Sequence, residues 1–265
     1  MTLLLKLLLA PALVVGSSLA GRRWGARMTG VLVGLPIVAG PILLIACLDH
    51  GTRFGAAAAS SALLGLLTLA LFAVMFAWCA RRVGWLGSLG IAWSACLIAD
   101  LALARLTVPP VVGFVLVLAG MWAASRAMPP DGGPWDSRPV VAWPWWDLPG
   151  RAAATALLVV VVTSLAGALG PGMTGVLAPF PIASSVVAAF ALAQRGPTET
   201  ARLLRGVLAG LLGFASFCLL VSLLVVPLGT GAAFGIASAA TLVIQLAWQW
   251  LLRRRPNGDG RARRR

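Results

Sequence analysis

The sequence predicts an all-α polytopic membrane protein of about nine transmembrane helices, in two inverted four-helix repeats joined by a linker helix. Three observations predict it. The 265 residues are 60% hydrophobic and 11% charged, with a mean hydropathy of +0.96, which excludes an ordinary soluble domain. Apolar runs of about 18 to 25 residues recur from end to end, each able to cross a hydrocarbon core of roughly 30 Å. Finally, residues 28–106 align with 173–251 at a constant offset of 145, without a gap, and about 25 of the 79 positions are identical. Met28-Thr29-Gly30-Val31-Leu32 recurs as Met173-Thr174-Gly175-Val176-Leu177, and Pro36-Ile37 as Pro181-Ile182. The shared glycines and prolines fall in register, which marks a duplication rather than a common apolar composition.

The spans read as 2–20, 29–48, 55–79, 84–105, 108–128, 152–169, 173–194, 203–226 and 230–252. Backbone polar groups in lipid must be satisfied within the segment, so these are helices; the alternation of a membrane barrel is absent. The first span resembles a secretory leader, but its Ser18-Leu19-Ala20-Gly21 returns as Ser164-Leu165-Ala166-Gly167, so a retained helix is expected. Four domains follow: a first repeat at 1–107, a linker helix and Trp/Pro-rich loop at 108–151, a second repeat at 152–252, and a basic tail at 253–265. The loop carries Trp135, Trp143, Trp145 and Trp146 among prolines. Proline that dense precludes a helix, and the tryptophans suit the headgroup layer.

The net charge of +14 is distributed as a topology signal. With nine spans, 18 of the 21 basic residues fall on one side, and Lys6, Arg53 and Arg105 on the other. The positive-inside rule then predicts an outer amino terminus and a cytoplasmic carboxyl terminus. Span two runs outward and its counterpart, span seven, inward, so the two units are inverted, and span five is the odd helix that permits the inversion. The arginine-rich tail has no interleaved aromatic residues to stack on bases. It is expected to attract anionic lipids rather than nucleic acid.

Candidate site residues come from the duplication. Pro36 and Pro181 stand at equivalent places inside spans two and seven, where proline frees a carbonyl and breaks the axis. Inverted repeats bring such paired breaks toward a pseudo-two-fold axis, where transporters of this design bind substrate. A tolerated kink against a crowded neighbour is the plainer alternative. Thr29-Gly30 and Thr174-Gly175 open the same spans, the threonines as possible helix caps. Gly30/Gly34, Gly206/Gly210 and Gly231/Gly235 have the spacing of close helix packing. Asp100 is the one carboxylate well inside a span, and its repeat equivalent is Gln245. A carboxylate in that position is a candidate for proton or cation coupling, an ion pair with Arg105 being the alternative. His50, the sole histidine, reads as an exposed loop residue. Cys47, Cys79, Cys96 and Cys218 form neither a metal-ligand spacing nor a disulfide framework. No cofactor or metal is expected.

The Met-Thr-Gly-Val-Leu-x-x-x-Pro-Ile motif, followed by a helix ending near Gly51 or Gly196 and a glycine-containing apolar helix, resembles small bacterial inner-membrane proteins of the GlpM-like kind. The resemblance covers spans one to four and six to nine. It implies a fused, inverted pair of such units in the bacterial inner membrane, and a link to exopolysaccharide production. The inverted four-helix plan is also similar to the drug/metabolite transporter superfamily. Small exporters of that group carry a glutamate in the first helix, and neither repeat has an acidic residue there. The leading expectation is a secondary transporter or flippase for a small apolar, zwitterionic or lipid-linked substrate. The alternative is a non-transporting scaffold or accessory subunit of an envelope or exopolysaccharide assembly system. An intramembrane enzyme is not expected, since one histidine and one buried aspartate do not assemble a nucleophile and its base.

Overall fold

In the computed structural model the chain is described over residues 2–36, 39–103, 105–106, 108–130, 144–168 and 180–254. Every regular element among them is a helix: α1 (Thr2–Trp24), α2 (Ala26–Val33), α3 (Ala39–His50), α4 (Thr52–Cys79), α5 (Trp85–Leu103), α6 (Pro110–Ala127), α7 (Asp147–Ala168), α8 (Ile182–Arg195) and α9 (Pro197–Arg254). The count of nine helices fits, with two adjustments, and the start of span seven, 173–179, lies outside the described residues. Span two is split into α2 and α3, and spans eight and nine are the two arms of α9, which turns at Gly229 (φ 77, ψ 167). Thr52–Cys79, Trp85–Leu103, Pro110–Ala127 and Pro197–Ala247 are each long and apolar enough to cross a membrane.

The duplication is visible in the backbone. α3 and α8 end at His50 and Arg195, 145 residues apart. The next residues, Gly51 (φ 89) and Gly196 (φ 88), make the same left-handed turn, which only glycine adopts without a steric cost. The following helices then start at Thr52 and Pro197. A side-chain hydrogen bond repeats too. Cys96 Sγ donates to the Thr68 carbonyl at 3.4 Å, and Thr241 Oγ1 to the Gly213 carbonyl at 3.3 Å, both pairs related by the same offset of 145.

α4 and the first arm of α9 form the centre, with Phe72, Phe76, Leu63, Leu204, Leu211 and Val221 fully buried between helices. α5 and α6 lie outside them, their apolar windows only 22% and 17% buried against 61% for α4. Four glycines bind the two halves together. A methyl group on Gly30 would collide with the Leu203 carbonyl, and one on Gly206 with the Arg27 carbonyl. On Gly34 and Gly210 it would lie 2.5 Å from the carbonyl oxygens of Val207 and Val31. The paired residues rise together along both helices, so α2 and α9 run in the same direction where they cross. In lipid, helices associate through such close packing rather than through expulsion of water. A methyl group on Gly231 or Gly235 would meet nothing among the described residues, so no close packing of the third small-residue pair is seen among them.

The threonine cap is corrected. α2 starts at Ala26 after Gly25, with no side-chain cap, and Thr29 is buried one turn inside, its hydroxyl against Gly21. The loop reading is corrected at its end as well. α7 begins at Asp147 with Pro149 in its first turn, where a missing N–H breaks no helical bond.

Substitution at the glycine crossing is expected to be costly. Gly206→Ala should lose about 1–3 kcal/mol or more in denaturant unfolding in detergent. Gly235→Ala, placed in open space, should stay within about 0.5 kcal/mol of wild type.

Candidate functional site

The break after α2 comes from Gly34, Leu35 and Pro36. Proline offers no N–H and crowds the preceding turn, and its own carbonyl is taken up by the Gly40 amide at 2.8 Å. The break faces the two arms of α9 across a cavity of about 460 Å³, walled by Pro36, Gly40, Phe217, Phe234, Ser238 and Thr241. Phe217 and Phe234 meet edge to face, centroids 5.8 Å apart. The lining is apolar with two hydroxyls, and its size is that of an ordinary small-molecule pocket.

Among the described residues, the equivalent place in the other half is occupied by Trp93. Pro181 precedes α8, and here α5 packs where an arm of α9 packs in the first case. Trp93 Nε1 donates to Ser185 Oγ at 2.8 Å, and its ring meets Phe180 edge-on at 5.2 Å. Shifted by 145, Trp93, Ser185 and Phe180 correspond to Ser238, Gly40 and Leu35. One half thus holds an indole in its break; the other has a serine and a cavity.

Asp100 and Gln245 lie one turn beyond Cys96 and Thr241, each within its own half. They are 5% and 4% exposed. Asp100 Oδ2 and both polar atoms of the Gln245 side chain lack hydrogen-bond partners, which is costly for buried groups. Gln245 Oε1 and the Thr241 and Leu35 side chains converge on Gly213, so Gln245 lies behind Thr241 and Leu35, which line the open cavity. Asp100 forms none of the ion pairs found among the described residues, Arg105 included. Pro36, Thr241 and Gln245 are therefore brought together, and Pro181 is joined by Trp93. Thr29 and Gly30 belong to the packing interface. Thr174 and Gly175 lie outside the described residues.

A second polar centre, not anticipated from the sequence, gathers Arg22 and Arg151 around Asp147. The fully buried Asp147 carboxylate accepts from Arg151 Nε at 2.8 Å, Arg22 Nη2 at 3.0 Å and Gln194 Nε2 at 2.7 Å. Arg151 also reaches Ser18 Oγ at 3.4 Å and lies over the Phe190 ring. These contacts tie α1, α7 and α8 at one end. Burial pushes the Asp147 carboxyl up, but the hydrogen bond and charge of Arg151, with Gln194 and Arg22, outweigh it and hold its pKa below the ordinary carboxylate range. The signal was the i, i+4 spacing of Asp147 and Arg151, hidden by the prolines around it.

No protein-family model matches the chain, and neither a curated protein nor a solved structure does. Among the described residues no group of three His, Cys, Asp or Glu side chains stands close enough to hold a metal ion.

Asp147→Ala removes a buried carboxylate that accepts from Arg151 and Arg22, and should cost about 3–5 kcal/mol in unfolding. Because the folded pKa of Asp147 is depressed, its stabilisation is present above the unfolded value of about 3.9. It is lost as pH falls through the folded pKa. Melting temperatures should therefore drop more steeply below about pH 4 in wild type than in Asp147→Asn, which should be less stable at neutral pH.

Proposed function

We propose that the chain is a secondary transporter or flippase of the bacterial inner membrane. It moves a small apolar, zwitterionic or lipid-linked substrate by alternating access between two inverted repeats. The observation that carries this reading is the pair of repeat-related helix breaks, one facing both arms of α9 across the cavity at Pro36 and the other occupied by Trp93 of α5. The substrate site is the cavity at Pro36, where Ser238 and Thr241 offer hydroxyls, with Gln245 behind them, and Phe217 and Phe234 offer an apolar wall. Asp100 serves coupling in the filled half. A buried carboxylate with one oxygen unsatisfied inside a membrane span is a functional candidate by its cost alone.

Inversion is supported by the direction of the glycine crossing. Span eight is the repeat equivalent of span three, which runs opposite to span two. Parallel repeats would thus set span eight against span two, whereas α2 and the first arm of α9 run the same way. The clustering of Arg22, Arg27, Arg81, Arg126, Arg151 and Arg205 near one end supports assigning that end to the cytoplasm. The amino terminus then lies outside.

Reconstituted in liposomes, the protein should give counterflow or flipping with a panel of apolar and zwitterionic solutes and fluorescent phospholipid analogues. Ser238→Trp, which copies the indole of the filled half into the open one, should cut that activity at least tenfold with an unchanged melting temperature. Asp100→Asn should abolish coupling to an imposed pH gradient. Full activity in both variants would overturn the substrate site at Pro36 and the coupling role of Asp100, and no activity in wild type alongside co-purifying envelope proteins would favour the scaffold reading instead.

A further inference from the structure

A second groove, of about 400 Å³, lies between α6 and the crossing of α2 on α9. Its residues on α9 are Arg205, Leu208, Ala209 and Leu212, one helical face at the i, i+3, i+4, i+7 spacing. On α6 it continues along Leu118, Met121, Trp122 and Ser125, and α2 contributes Arg27. The groove is polarised along its length. Arg27, Arg205 and Ser125 stand at the basic end, and Leu118 and Leu212 at the other. From Arg205 to Leu212 the apolar wall extends about 10 Å at 1.5 Å per residue. Among the described residues no carboxylate lines it. Arg205 is steadied by donating to the Pro129 carbonyl, and the Arg126 guanidinium lies over the Trp122 ring, 4.9 Å from its centroid, at the groove's rim.

We infer that this groove is a binding site for one anionic phospholipid. Its phosphate meets Arg27 and Arg205 at the headgroup level, and the first part of an acyl chain lies against Leu118, Met121, Leu208 and Leu212. A cationic end continuous with an apolar wall inside a membrane-spanning helix pair matches the two-part chemistry of a phospholipid. A soluble anion would use the arginines alone. Basic pockets between transmembrane helices on the cytoplasmic side recognise anionic headgroups in this way. Because the groove rests on the glycine crossing, its lipid also braces the contact between the two halves. The site is separate from the Pro36 cavity and does not depend on transport.

The test is binding and melting of the full chain in a neutral detergent with added phosphatidylglycerol, phosphatidylcholine or inorganic phosphate. Long-chain phosphatidylglycerol should raise the melting temperature saturably and appear as one retained lipid in native mass spectrometry; phosphatidylcholine and phosphate should not. At about 1 kcal/mol per arginine and 1.4 kcal/mol per tenfold, Arg27→Gln with Arg205→Gln should weaken binding about 30-fold. Met121→Trp, which fills the apolar half and keeps both arginines, should weaken it as well. Replacing the tail arginines 261, 263, 264 and 265 by glutamine should leave it unchanged. Equal stabilisation by phosphate or phosphatidylcholine, or loss of binding only in the tail variant, would overturn the assignment.

Discussion

The structure depends on one close contact, the crossing of α2 on the first arm of α9 at Gly30, Gly34, Gly206 and Gly210. Each of these glycines approaches the backbone of the opposite helix so closely that a single methyl group has no room. Helices in lipid gain nothing from removing apolar surface from water, and van der Waals contact between backbones replaces that driving force. The crossing joins the first repeat to the second and fixes α2 beside α9. It thereby sets where the break after Val33 must fall and which side chains it faces. The Pro36 cavity and the arginine-lipid groove both open from this one junction.

Two halves built from the same pattern have come to differ at their breaks. Trp93 closes one by bonding to Ser185 and packing on Phe180; Ser238 leaves the other open. The polar pairs have diverged alongside. Thr68 and Asp100 in one half are Gly213 and Gln245 in the other, so a carboxylate accompanies the filled break and an amide the open one. On the transport reading we propose, such division lets one half bind substrate while the other carries a coupling charge. Two identical sites across a pseudo-two-fold axis would compete for the same space.

Much of this was legible in the sequence, because hydropathy and the offset of 145 each have a direct physical meaning. The positions of the spans, the break at Pro36 and the isolation of Asp100 were all readable from composition and register. The partners were not. Gly30/Gly34 and Gly231/Gly235 have the same spacing, yet only the first pair packs against another helix of the chain, since spacing defines a face and not what covers it. Thr29 looked like a cap because it precedes an apolar run, but the positive φ of Gly25 lets α2 begin a turn earlier. Asp147 was hidden inside a proline-rich stretch. Its importance comes from Arg22 and Gln194, which only the fold brings to it. The contrast between Trp93 and Ser238 was present in the alignment and became meaningful once each had a position beside a helix break.

The most direct measurement is the sidedness of two equivalent loops. Single cysteines at Trp24 and at Gly170, in a chain whose four native cysteines are replaced, are labelled with a membrane-impermeant maleimide in intact and in opened spheroplasts. Inverted repeats require Trp24→Cys to react only after opening and Gly170→Cys to react in intact cells. Reaction of both from the same side would make the repeats parallel and remove the basis for alternating access.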